Sequence, residues 1–156
     1  SYFAIPAAIA AWTRGGPWVD RLRAFIDANL AEAVRIVRAE LPRARVADPD
    51  GTYLIWVDAR SYLRDEADLD RAVRACRVAV TPGEDFGERY AGWFRINTAL
   101  PAGELVAALP RLCREIRAVG AVGAVGAAEA GSTAGAAEAG STAGAAGSQS
   151  RSVPTH

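Results

Sequence analysis

The sequence predicts an α+β fold, a short sheet packed by helices. Three observations carry that prediction. Apolar residues recur at helical spacing over a long stretch from Trp18 to Leu41, strand-favouring runs stand at 52–58 and 93–97, and bulky side chains run out in the last quarter of the chain. The four Trp, four Tyr and four Phe all lie at or before Phe94, so only the front part has the side chains to build a core.

Ala4 to Arg14 is alanine-rich, with Ile5, Ile9 and Trp12 spaced for one face of a short helix, which Gly15-Gly16 stops. Pro17 suits the first turn of a second helix, where its missing N–H costs nothing. Trp18, Leu22, Phe25, Ile26, Asn29, Leu30, Ala33, Val34, Val37 and Leu41 then follow at steps of three and four. They predict one amphipathic helix of about 24 residues, roughly 36 Å long, a length suited to a strut between two bodies. Pro42 ends it. Asp48-Pro49-Asp50-Gly51 signals a turn, and Thr52 to Asp58 reads as a strand. Asp65 to Arg77 reads as a helix with Leu69, Ala72, Val73 and Cys76 on one face and acids in its first turn. Val78-Ala79-Val80 predicts a short buried strand running into Thr81-Pro82-Gly83, and Trp93 to Asn97 another strand. Pro101 opens a final helix with Leu105, Leu109, Leu112 and Ile116 on one side, which Pro110 is expected to kink or divide.

The expected organisation is two N-terminal helices over 1–41, an α+β domain over 42–118 and a tail over 119–156. The tail repeats Ala-Val-Gly three times from Ala118, then the nine residues of 127–135 again at 136–144. Such small side chains bury too little to offset roughly 1–2 kcal/mol of backbone entropy per residue, so the tail is expected to be disordered. It is either a flexible tether or partner-binding tail, or a repeat-expanded terminus under little constraint.

All 18 basic residues are arginine and 18 acids balance them, so no net charge argues for nucleic acid or an anionic membrane as partner. No run approaches the roughly 18 bulky apolar residues of a membrane span. The chain opens on Ser1, has no Met and lacks a basic signal-peptide start, so it is expected to be a piece of a longer protein. With two cysteines and only His156, neither a Cys/His metal site nor a disulfide framework is expected.

Few residues carry candidate chemistry. Arg95 stands in an apolar strand between Phe94 and Ile96; its fork can grip a carboxylate with two charge-assisted bonds, form a structural ion pair, or face solvent on an edge strand. The loop Thr81-Pro82-Gly83-Glu84-Asp85-Phe86-Gly87 has two glycines but matches no phosphate-binding motif. Cys76 and Cys113 lie on apolar helix faces and read as core. Asp58, Asp65, Glu66, Asp68 and Asp70 read as a solvated helix start. No catalytic triad can be assembled.

Gly51 to Asp58, then Pro82-Gly83 with Phe86-Gly87, then Gly92 to Pro101 together resemble the C-terminal part of class I/II aminotransferase-fold enzymes, which use pyridoxal 5'-phosphate (PLP). Ala10-Ala11-Trp12, Gly16 to Leu22 and Asn29 resemble the cystathionine β-lyase branch, carbon–sulfur lyases acting on amino acids. The resemblance covers about 1–117. It implies the small domain of a fold-type I PLP enzyme with its connecting helix, and a cytoplasmic homodimer when intact. Arg95 would then bind the substrate α-carboxylate, Tyr53 would line the same pocket, and Gly83 and Gly87 would position an active-site loop. The cofactor lysine and phosphate site would belong to a large domain preceding Ser1, so this lysine-free chain alone is expected to be inactive. The alternative is a non-catalytic remnant or interaction module that kept the fold.

Overall fold

In a computed structural model, residues 2–139 are described. Among the described residues one compact unit runs to Ala121, and a second begins at Val122. Four helices, α1 (Ala4–Arg14), α2 (Gly16–Glu40), α3 (Glu66–Cys76) and α4 (Ala102–Ala139), accompany four strands, β1 (Arg45–Val46), β2 (Leu54–Asp58), β3 (Thr81–Pro82) and β4 (Trp93–Asn97). The strands form one antiparallel sheet in the order β1-β2-β4-β3. The α+β fold with a short sheet and a long preceding helix is as predicted.

Alternation along the central strands separates two faces. Ile55 and Val57 of β2 and Phe94 and Ile96 of β4 are buried, while Leu54, Trp56, Trp93 and Arg95 are half-buried on the other face. The buried side joins Leu30, Ala33, Val37 and Leu41 of the α2 region and Leu105, Leu109, Leu112 and Ile116 of α4 in one core. Pro82 sits on the edge strand β3, where its lack of an N–H is tolerated.

Three elements differ from expectation. Val78 to Val80 forms no strand: Arg77 adopts a left-handed conformation (φ 54°) as the cap of α3, and pairing with β4 begins only at Thr81 and Pro82. Val78 and Val80 are half-buried and pack on the core from a coil. The pair Arg45–Val46 adds an edge strand opposite Asp58 and Val57, too short to leave a sequence pattern. Pro110 lies inside α4 without dividing it, because Leu105, Leu109, Leu112 and Ile116 anchor the helix on both sides of the proline. α4 is helical to Ala139, into the segment expected to be disordered; alanine is the residue that costs least in a helix. The rest of the expected tail, 140–156 with His156, lies outside the described residues.

Within the acidic cluster Asp65, Glu66 and Asp70 are exposed, as a solvated helix start requires, while Asp58 and Asp68 correct that reading. Asp65 caps α3, its carboxylate accepting the Asp68 N–H at 2.9 Å. Asp68 is buried, accepting from the Arg64 N–H at 3.0 Å, from Arg64 Nε at 3.0 Å and Nη2 at 3.2 Å, and from Arg71. Asp58 is also buried and gripped by Arg60. The Arg64 hydrogen bonds hold the Asp68 carboxyl below its ordinary value of 3.8. The stabilisation from Asp68 is therefore complete above that unfolded value and is lost as pH falls through the lower folded one. Asp68→Asn is expected to lose about 1–3 kcal/mol at pH 7, less than for a pair buried on both sides because its arginines return to water. Urea unfolding at pH 7 and at pH 2.5 checks this: the gap between the variant and the unaltered chain should shrink at the lower pH, and an unchanged gap would assign the loss to packing.

Candidate functional site

The exposed face of the sheet carries a cluster of aromatic rings around one arginine. In β4 the half-buried Arg95 stands across from Trp56 of β2 and Thr81 of β3. Its guanidinium carbon lies 4.8 Å from the centre of the Phe86 ring. Phe86 meets Trp56 edge-on at 5.3 Å, and Trp56 also packs on Tyr90 at 5.4 Å and on Trp93 at 5.6 Å. These contacts fix the plane on which the guanidinium rests. Among the described residues Arg95 forms no ion pair; every ion pair present uses another arginine. Of the three readings of Arg95, the structural ion pair and the edge strand are not found, since β4 lies inside the sheet order.

The 83–87 loop places Phe86. A 3-10 turn spans Gly83–Phe86 and a second Glu88–Tyr90. A Cβ on the buried Gly83 would collide with the Tyr90 carbonyl oxygen and come within 2.7 Å of Trp93 Cβ, so only glycine lets the turn lie this close to β4. Gly87 is required for a different reason: at φ 124° it holds a backbone conformation that side-chain-bearing residues rarely adopt. Gly83 and Gly87 thus shape the turn that carries Phe86 to Arg95.

Tyr53 does not join this row. It stands just before β2, is 44% exposed, and is held by its backbone, its carbonyl accepting from Thr98 N–H at 2.8 Å and Thr98 Oγ1 at 2.9 Å. Asn29 completes the support from behind. Buried in α2, it donates from Nδ2 to the carbonyls of Thr98 and Leu100, both at 2.8 Å. This ties the long helix to the segment leaving β4, one and three residues past the strand end. The sequence marks it as a lone polar residue inside the apolar stripe.

Other candidates recede. Cys76 and Cys113 are free and buried, and burial pushes the Cys113 thiol up to about 12, so it is a core residue rather than a nucleophile. A 600 Å³ cavity between α2 and Asp48-Pro49 takes no lining from β4 or the 83–87 loop. Trp56, Phe86, Tyr90 and Trp93 are the site residues that sequence reasoning passed over as a group. Trp56 and Trp93 lie on one face by strand alternation, whereas Phe86 and Tyr90 reach them only through the loop's turns. Trp93 Nε1 is buried with no hydrogen-bond acceptor among the described residues.

No protein-family model matches the chain. It is 35% identical over 111 residues to the cystathionine beta-lyase PatB of Bacillus subtilis, covering 70% of this chain and 29% of that enzyme. Its fold matches the crystal structure of cystalysin from Treponema denticola, which contains a pyridoxal 5'-phosphate cofactor, with a TM-score of 0.64 and 25% identity over 70% of this chain and 28% of that one. It also matches an aminotransferase from Mycobacterium tuberculosis, with a TM-score of 0.66 and 26% identity over 72% of this chain and 30% of that one. The chain spans about 30% of the length of the curated relatives it matches.

Proposed function

The chain carries part of a fold-type I PLP-dependent enzyme fold related to the cystathionine β-lyase and aminotransferase family, and we propose that it supplies the clamp for the substrate α-carboxylate, with Arg95 as that clamp. The intact enzyme then acts on an amino acid by carbon–sulfur β-elimination, as the B. subtilis relative's name suggests, and works as a homodimer with PLP. The observation that carries this is a half-buried strand arginine with no acidic partner among the described residues, its guanidinium held against Phe86. A carboxylate would meet it with two parallel charge-assisted hydrogen bonds, and the surrounding rings would exclude the water that competes for them. Gly83 and Gly87 act here as positioning residues, through Phe86. Tyr53 has a weaker claim, resting on its place at the start of β2.

The chain's own residues do not fit the cofactor. PLP enzymes of this fold bond it to a lysine, and no lysine occurs anywhere in the sequence. This chain therefore binds and orients a substrate but performs no cofactor chemistry by itself. The first two helices support a missing partner domain: Phe3, Ile5, Ile9, Trp12 and Trp18 are each more than half exposed, and α1 buries no residue. A remnant retaining only the fold would share the missing lysine and is the competing reading.

Translating the coding region upstream of Ser1 separates the two. The proposal expects an open frame that encodes a PLP-binding domain with its lysine. A stop codon in frame directly upstream would leave a remnant and overturn the enzymatic reading.

A further inference from the structure

Farther across the same sheet face as Arg95, the edge strand β1 gathers a second group of arginines. Arg43, Arg45 and Arg60 line a cavity of 360 Å³ together with Asp58 and Ser61, a size within the roughly 300–1,000 Å³ of small-molecule sites. No lining residue comes from β4 or from the 83–87 loop, so the cavity does not include Arg95, although Arg60 borders it at Trp93.

The charges in the cavity do not cancel. Asp58 is already saturated: its carboxylate accepts from Arg60 N–H at 3.2 Å, Arg60 Nε at 2.9 Å and Arg60 Nη2 at 2.8 Å. That bidentate pair neutralises Arg60, whose guanidinium also stacks 5.3 Å from the centre of the Trp93 ring. Arg43 and Arg45 have no acidic partner among the described residues, and two positive charges remain in a chain with none net. Arg43 is held in place by its neighbours. The Arg43 N–H donates to Tyr62 Oη at 3.3 Å, its carbonyl accepts from Ser61 Oγ at 2.9 Å, and its guanidinium carbon lies 4.4 Å from the centre of the Tyr62 ring. Arg45 is set opposite Asp58 by the β1–β2 pairing.

We propose that this cavity binds a phosphate dianion, either the free ion or the head of a small phosphate monoester. Two unmatched guanidinium forks offer two positive charges and planar sets of N–H donors, which suit a dianion with three acceptor oxygens. A single carboxylate would satisfy one fork and leave the other. The Asp58 carboxylate does not repel the ligand outright, because Arg60 faces it with its own fork. Stacking on Tyr62 lowers the ordering cost that a free surface arginine would add on binding.

The test is an NMR titration of the arginine Nε–Hε signals of the full chain with inorganic phosphate and with phenyl phosphate, at constant ionic strength, with acetate as control. The expected result is saturable shifts at Arg43 and Arg45 with roughly millimolar affinity, about tenfold stronger at pH 8 than at pH 5, because the ligand gains its second charge while the arginines do not titrate. The double variant Arg43→Gln/Arg45→Gln should bind about tenfold more weakly, while Arg114→Gln, an exposed arginine elsewhere, should bind as before. Tighter binding of phenyl phosphate would identify a monoester as the ligand, and equal binding the free ion; both fit the proposal. Non-saturating shifts that acetate reproduces, equal affinity at the two pH values, or unchanged binding by the double variant would overturn it.

Discussion

Arg95→Ala in the complete enzyme is expected to raise KM for the amino-acid substrate by roughly 30- to 5,000-fold, the equivalent of roughly 2–5 kcal/mol for one partner of a desolvated charge pair. The turnover number should fall far less, since the fork holds the substrate through a group that does not react. Arg95→Lys should recover only part of the loss, because an ammonium cannot reproduce two parallel hydrogen bonds in one plane. Phe86→Leu should give a smaller effect in the same direction, a few-fold in KM, by releasing the guanidinium from its ring. Steady-state kinetics with a short and a long amino-acid substrate checks all three. A KM unchanged in Arg95→Ala would remove this arginine from the site and leave the aromatic cluster a matter of packing alone.

Asn29→Ala should destabilise the folded chain by about 2–4 kcal/mol, because two carbonyl oxygens, of Thr98 and Leu100, lose their donor at once in a buried place. Asn29→Asp, nearly the same in shape, should be worse at neutral pH. It would set an ionised oxygen 2.8 Å from two carbonyl oxygens that now accept from Nδ2. Urea unfolding of the three chains at pH 7 and pH 4 measures this, and the aspartate variant should recover on acidification as its carboxyl gains a proton and can donate. A loss below about 0.5 kcal/mol for alanine would mean that water takes over both carbonyls.

Where one side chain type at a regular interval decides the outcome, the sequence was readable. The apolar stripe from Trp18 to Leu41 became α2 and its cap, and the alternation in Leu54–Asp58 and Trp93–Asn97 became the two central strands. Arg95 stood out for a local reason, a charge amid apolar strand neighbours. What escaped was set by contacts between distant segments. Val78 to Val80 carries strand-favouring residues, but the left-handed Arg77 turns the chain so that pairing starts three residues later. Phe86 gains its place on Arg95 from the backbone path through Gly83 and Gly87, a path no spacing rule encodes. Asp58 and Asp68 looked like solvated acids because their arginine partners, two to four positions away, resemble the ordinary charge mix of a helix surface. Only burial distinguishes them.

The long helix has one further consequence. Of its 25 residues, those fully buried begin at Asn29, and Ile26 is the first that packs on the core, so the opening turns of α2 project as a cantilever. The fixing bolt is the Asn29 side chain, and it fastens to the segment that leaves the Arg95 strand. A body that gripped the overhanging part would bear on a helix whose Asn29 hydrogen bonds end on the segment leaving the arginine's strand.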